Sequence, residues 1–84
     1  LTVEVAVIVD PAGNVLETVV TQSSGVEYID DYSRTVASRG ITYRPYDEIY
    51  EIRVVLVYDP DERSLSHRVD GFIKAPPTVG SHAR

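Results

Sequence analysis

The sequence predicts a small α+β domain, in which one helix packs on one face of a three-stranded antiparallel sheet. Three observations support this fold class. Residues 2–10 and 15–22 alternate like strands on either side of a short turn, residues 27–40 have the spacing of an amphipathic helix, and residues 50–58 alternate again. The order strand, strand, helix, strand favours an antiparallel sheet with the helix across it. A chain of 84 residues has room for one such domain.

The first two strands are predicted to form a hairpin. The first strand carries valine at every second position, at Val3, Val5, Val7 and Val9. The connection Asp10-Pro11-Ala12-Gly13 has the composition of a turn. Pro11 fixes φ at the first central position, Asp10 can bond to the backbone ahead of it, and Gly13 can adopt a positive φ. Two β-branched runs joined by so short a link predict antiparallel pairing.

Residues 23–25, Ser-Ser-Gly, mark the predicted corner between the hairpin and the helix. Ser24 and Glu27 have the spacing of a capping box, in which the hydroxyl of Ser24 accepts from the amide of residue 27 and the carboxylate of Glu27 accepts from the amide of Ser24. The expected buried stripe of the helix consists of Ile29, Tyr32, Val36 and Gly40. Gly40 is also the expected C-cap.

The longest alternating segment, residues 50–58, predicts the third strand, and Asp59-Pro60-Asp61-Glu62 follows it with the composition of a turn. Residues 64–73 can fold back beside this strand as a fourth strand. Gly71 would weaken that pairing, because a glycine inside a strand has no side chain to pack.

The predicted domain therefore covers residues 1–58, and residues 59–84 form a C-terminal extension. Within that extension, residues 64–73 are the candidate extra strand. Residues 75–84 have the composition of a loose tail.

Composition argues against several classes of function. The formal net charge of −5 disfavours a nucleic-acid partner, which would require a basic patch. There is no cysteine for a disulfide or a thiolate metal site, and Asp59, Asp61 and Glu62 lack the spacing of a calcium loop. We therefore expect neither a metal nor another cofactor. We also expect no enzymatic activity, because the sequence offers no convincing set of nucleophile, base and orienting group.

The order and spacing of these features resemble the C-terminal domain of TonB-type energy transducers. The matching features are the turn at Gly13, Ser23-Ser24-Gly25, Ile29-Asp30 and Tyr43-Arg44-Pro45. The resemblance covers residues 1–58.

This resemblance implies a non-enzymatic protein-binding domain in the periplasm, belonging to a protein anchored in the inner membrane. Such domains bind a short extended segment of an outer-membrane transporter and transmit energy for uptake. The implied partners are that transporter segment and, through an N-terminal part outside this sequence, the proton-driven motor proteins of the inner membrane.

The third strand is the predicted binding edge, because the last strand of a three-stranded sheet can leave its main-chain groups open to an incoming peptide. The predicted edge residues are Tyr50, Glu51, Ile52, Arg53, Val54, Val55, Leu56, Val57 and Tyr58. Alternatively the open edge has no binding role, and the charged side chains of Arg53 and Glu51 protect it against strand pairing. A fourth strand from residues 64–73 would compete with the peptide, either within one chain or by exchange in a homodimer. The alternative function is that of a TonB-like structural or self-associating module of a larger cell-envelope protein.

Overall fold

A computed structural model describes residues 1–74 and confirms the α+β class, with one helix packed on a four-stranded antiparallel sheet. The strands are β1 (Thr2–Val9), β2 (Val15–Gln22), β3 (Tyr50–Asp59) and β4 (Ser64–Lys74), and they lie in the order β2-β1-β3-β4. The helix α1 (Glu27–Thr35) continues into a π-helical turn, Val36–Gly40. The predicted loose tail, residues 75–84, lies outside the described residues.

The β1–β2 hairpin is confirmed, and so is the chemistry of its turn. One carboxylate oxygen of Asp10 accepts from the amides of Ala12 and Asn14, both at 2.9 Å. Gly13 has a φ of 94°, a conformation that side chains other than glycine rarely adopt. A Cβ atom at Gly13 would also lie 2.7 Å from the carbonyl oxygen of Tyr43. Both the turn and the close approach of the loop therefore require glycine at this position.

The core lies between the helix and the sheet. The valines of β1 are completely buried there, and they form a cluster with Ile29, Ala37, Val54 and Leu56. Helix α1 packs mainly on β1 and β2, because it follows β2 directly in the chain and returns across the hairpin. The helix leaves the β3–β4 half of the same face of the sheet uncovered.

The buried stripe of the helix differs from the prediction. Ile29, Ser33 and Ala37 are buried, whereas 46% of Tyr32 is exposed. The three buried residues are spaced four apart and therefore share one face, and small side chains at two of them let the helix lie close to the sheet. Placing Tyr32 on the buried stripe was wrong for this reason.

Helical structure ends at Gly40, but the prediction that Gly40 is the C-cap is wrong. The last turn widens into the π-helical turn, and the residue that caps it is Ile41, with an extended backbone. Gly40 is exposed and has no positive φ, so it does not form a left-handed C-cap.

The capping box at Ser24 and Glu27 does not form. The helix begins at Glu27 with Val26 as its N-cap, and Val26 makes no side-chain capping bond. Instead the carboxylate of Asp30 accepts from the hydroxyl of Ser23, from the amide of Ser24 at 2.9 Å and from the hydroxyl of Ser24 at 2.8 Å. Because the helix starts later than the capping box requires, Asp30, not Glu27, faces back toward the corner.

The predicted fourth strand is confirmed. β4 pairs antiparallel with β3 along its length, from Asp59 opposite Ser64 to Tyr50 opposite Lys74. The carboxylate of Asp59 stabilises the connecting turn by accepting from the amides of Asp61 at 2.9 Å and Glu62 at 3.3 Å.

Candidate protein-interaction site

The predicted binding edge, residues 50–58, is an inner strand of the sheet. Val54, for example, pairs with Val5 of β1 on one side and with Val69 of β4 on the other. The expectation of an open edge at β3 is therefore wrong for this arrangement. The physical reason is proximity, since the tight turn after β3 brings the next segment of the chain directly onto that edge.

β4 covers this edge with side chains that are only partly buried. Val69 is 57% exposed and Phe72 53% exposed, whereas Leu65 is half-buried against the core cluster. The register shifts between Arg53 and Val54, which pair with Gly71 and Val69, so one residue of β4 bulges out of the ladder. Main-chain pairing with β3 and the partial burial of Leu65 and Phe72 together hold β4 in place.

The outer strands β2 and β4 form the two edges of the sheet within residues 1–74. The pairing of β2 with β1 shifts register twice, and the pairing of β4 with β3 shifts once. Such irregularities reduce unwanted strand pairing at an edge.

On the helix side, the β3–β4 half of the sheet forms an apolar groove of about 510 Å³. Its floor consists of Ile52, Val54, Val69 and Phe72. The loop of residues 41–46, which connects the helix to β3, forms one wall. A cavity of this size and composition is within the range of protein binding sites.

An aromatic cluster closes one end of this groove. The ring of Phe72 lies 5.6 Å from that of Tyr46 and 5.1 Å from that of Tyr50, and the two tyrosine rings are 5.8 Å apart. The hydroxyl of Tyr50 donates to the carbonyl oxygen of Arg44 at 2.7 Å, and burial raises the pKa of Tyr50. Tyr50 is buried and belongs to the core cluster.

The wall of the groove is fixed to the helix by Tyr43. Its buried hydroxyl donates to the carbonyl oxygen of Ala37, inside the π-helical turn, at 2.5 Å. Burial, with a smaller contribution from Tyr50, raises the pKa of Tyr43 to about 12. The loop that borders the groove is therefore anchored at a specific point.

The opposite face of the sheet carries an ionic cluster. Arg53 donates from Nε to the carboxylate of Glu51 at 2.7 Å, and its guanidinium lies 3.8 Å from the carboxylate of Glu4. The hydrogen bond to Glu51 is the main cause of the raised pKa of Arg53. Ala6 and Ile8 are buried on this face although the helix lies on the other. Because β3 is an inner strand, Arg53 and Glu51 form an ionic cluster on a face of the sheet and do not protect an edge.

No match to this chain is found among protein-family models, curated proteins or solved structures. The resemblance to TonB-type domains thus rests on the order and spacing of the sequence features alone. Within residues 1–74, no helix is long and apolar enough to cross a membrane. No group of three or more histidine and carboxylate side chains suited to a metal ion occurs in the same part of the chain.

The groove was missed by reasoning from the sequence, which assigned the binding role to the edge of β3. The residues that line it include Ile41, Thr42, Val69 and Phe72. A geometric argument could have located the groove. One helix, about 10–12 Å wide with side chains, covers only about two strands spaced 4.7–4.9 Å apart. A four-stranded sheet with one helix therefore has an uncovered half.

Proposed function

We propose that this chain is a non-enzymatic, TonB-like periplasmic protein-binding domain that pairs an extended peptide with the edge of β3. In this proposal β4 occupies the binding edge in the free protein and is displaced by the incoming strand. The peptide is an extended segment of an outer-membrane transporter. The observation that carries the proposal is the contrast between β4, which is bulged and partly exposed, and β3, whose Val54 and Leu56 are completely buried in the core.

The contrast between the two strands supports exchange. Val54 and Leu56 of β3 are completely buried, so β3 cannot leave without disrupting the core. Val69 and Phe72 of β4 are 57% and 53% exposed, so separating β4 from β3 exposes less apolar area per residue than removing the buried valines of β3 would. A peptide can therefore replace the hydrogen bonds of β4 while the rest of the sheet stays intact.

The energetics of exchange make the proposal testable. When the binding-competent state is a minor population, the apparent dissociation constant rises in inverse proportion to that population. Weakening the docking of β4 should therefore tighten peptide binding, and a change of 1.4 kcal/mol would tighten it about tenfold.

The experiment compares two leucine variants of the full chain. Leu65→Asn removes a half-buried anchor of β4, and Leu16→Asn is the matched control on β2, where the side chain is 53% exposed. Synthetic extended peptides from the periplasmic segments of outer-membrane transporters are titrated by NMR, with proline-substituted versions that cannot pair as strands. We expect Leu65→Asn to bind about five- to thirtyfold more tightly, for a loss of about 1–2 kcal/mol. Equal affinities in both variants would argue against exchange at β3.

The alternative is a structural or self-associating TonB-like module. The exposed edges of β2 and β4 favour it, because an unpaired edge can also accept a second copy of the chain. Sedimentation of the parent chain over a hundredfold concentration range separates the two proposals. A dimer that forms without peptide and blocks the titration would support self-association.

A further inference from the structure

The uncovered half of the sheet carries a second inference, which concerns the free protein with β4 paired to β3. We propose that the groove over β3 and β4 is a docking site for an amphipathic helix of a partner protein, lying beside α1. Helix α1 packs mainly on β1 and β2, and two strands are about the width that one helix covers. A second helix over β3 and β4 would complete the layer.

The hydrogen bonding of β3 selects a helix over an extended segment. The main-chain groups of β3 already pair with β1 and β4, so a strand lying across this face would find no main-chain partners. A helix satisfies its own backbone groups and can bury an apolar face without them. The four residue steps from Tyr50 to Val54 along the groove span about 13 Å, which matches roughly nine residues of helix.

The floor of the groove offers the contacts that a helix needs. Val69 and Phe72 are 57% and 53% exposed, next to the half-buried Ile52. Tyr46, 41% exposed, adds an aromatic anchor at one end. An apolar surface with large aromatic residues is the kind of surface against which an amphipathic helix packs.

The charges around the groove indicate the character of the helix. Among the described residues, Arg44 is the charged side chain that lines it, and no carboxylate does. The chain as a whole is acidic, with a net charge of −5, so this site differs locally from the rest of the protein. We infer that the partner helix carries glutamate or aspartate beside its apolar face, placed to meet Arg44.

The test uses the full chain and a synthetic 14-residue helical peptide with apolar residues at positions i, i+3, i+4 and i+7 and glutamates at the borders of that face. A second peptide carries lysines in place of the glutamates, and a third has a central proline that breaks the helix. Val69→Lys places a charge on the groove floor, and Val19→Lys, at a 45% exposed position of β2, is the matched control. Arg44→Gln tests the charge preference.

We expect the glutamate peptide to gain helical circular dichroism on binding and to shift the NMR signals of Val54, Val69 and Phe72. Val69→Lys should weaken the affinity for the glutamate peptide about tenfold or more, because Val69 would lie at the centre of the interface. Val19→Lys should leave this affinity unchanged. Arg44→Gln should remove the preference over the lysine peptide. Binding without helix formation, binding that shifts β2 instead, or no binding by either charged peptide would overturn the proposal. Concentration-dependent shifts of Val69 and Phe72 without peptide would assign the groove to a second copy, and this too would overturn it.

Discussion

The hydroxyl of Tyr43 donates a hydrogen bond of 2.5 Å to the carbonyl oxygen of Ala37, and both groups are buried. This bond joins the loop before β3 to the π-helical turn after α1, across six residues of chain. The loop is also held at the hairpin, where the amide of Tyr46 donates to the carbonyl oxygen of Pro11 at 3.1 Å. One buried contact thus positions the wall of the groove relative to the helix.

Tyr43→Phe should destabilise the protein, because the Ala37 carbonyl oxygen loses its hydroxyl donor inside the core. The expected loss is about 1–3 kcal/mol of the free energy of unfolding, measured by urea denaturation. Tyr46→Phe is the control, since the ring of Tyr46 is 41% exposed and no hydrogen bond of its hydroxyl is described. Equal denaturation midpoints for the two variants would contradict an anchoring role for the Tyr43 hydroxyl.

Alkaline pH should lower the free energy of unfolding through ionisation of Tyr43. Because burial raises the pKa of Tyr43 to about 12 in the folded protein, above its ordinary value of 10.0, folding favours the protonated form. The contribution to stability is fully present below pH 10 and is lost as the pH rises from 10 toward 12. Denaturation of the parent and of Tyr43→Phe between pH 9 and 12 measures it. The difference in stability between the two proteins should shrink over this range, and a constant difference would count against the assignment.

The corner before the helix should depend on Asp30 and not on Glu27. Asp30→Asn replaces a carboxylate that accepts three hydrogen bonds from Ser23 and Ser24, and these bonds lower the pKa of Asp30. We expect a lower thermal midpoint for Asp30→Asn and an unchanged one for Glu27→Gln. The sign of the pH dependence follows, because a lowered pKa gives stability that is present at neutral pH and is lost as the pH falls through the folded-state pKa. A lower thermal midpoint for Glu27→Gln than for Asp30→Asn would instead support a capping box between Ser24 and Glu27.

Gly13→Val should cost roughly 2 kcal/mol or more, because a β-branched residue would be forced to a positive φ against a neighbouring carbonyl oxygen. Gly71→Ala is the comparison, since a Cβ atom there would meet nothing within 4 Å and Gly71 has no positive φ. We expect Gly71→Ala to be neutral or slightly stabilising. Equal losses for both variants in chemical denaturation would show that the turn does not depend on Gly13.

The sequence predicts the features that depend on near neighbours in the chain. The turn at Gly13, the hairpin and the fold-back after Asp59 follow from turn composition and alternation over a few residues. The helix boundaries are predicted less well, because a shift of the first turn changes which acidic side chain reaches Ser24. Tertiary contacts decide those boundaries, and the local pattern does not contain them.

The candidate site could be predicted only in part. The sequence correctly predicts residues 50–58 as a strand and residues 64–73 as its neighbour, whereas competition between that neighbour and a peptide stays a prediction. The groove depends on which two strands α1 covers and on where the loop of residues 41–46 crosses the sheet. Both are long-range packing outcomes, and the exposure of Val69 and Phe72 cannot be read from their apolar character.

Amide hydrogen exchange of the full chain, with and without a bound transporter-derived extended peptide, tests the central claim most directly. If the peptide replaces β4 on the edge of β3, the amides of β4 should lose protection while those of β3 that paired with β4 stay protected by the peptide. The amides of β1 and β2 serve as the internal control and should not change. Increased protection along β4, as expected if the peptide adds to its outer edge, or an unchanged pattern in both strands, would contradict the exchange of β4 for the peptide.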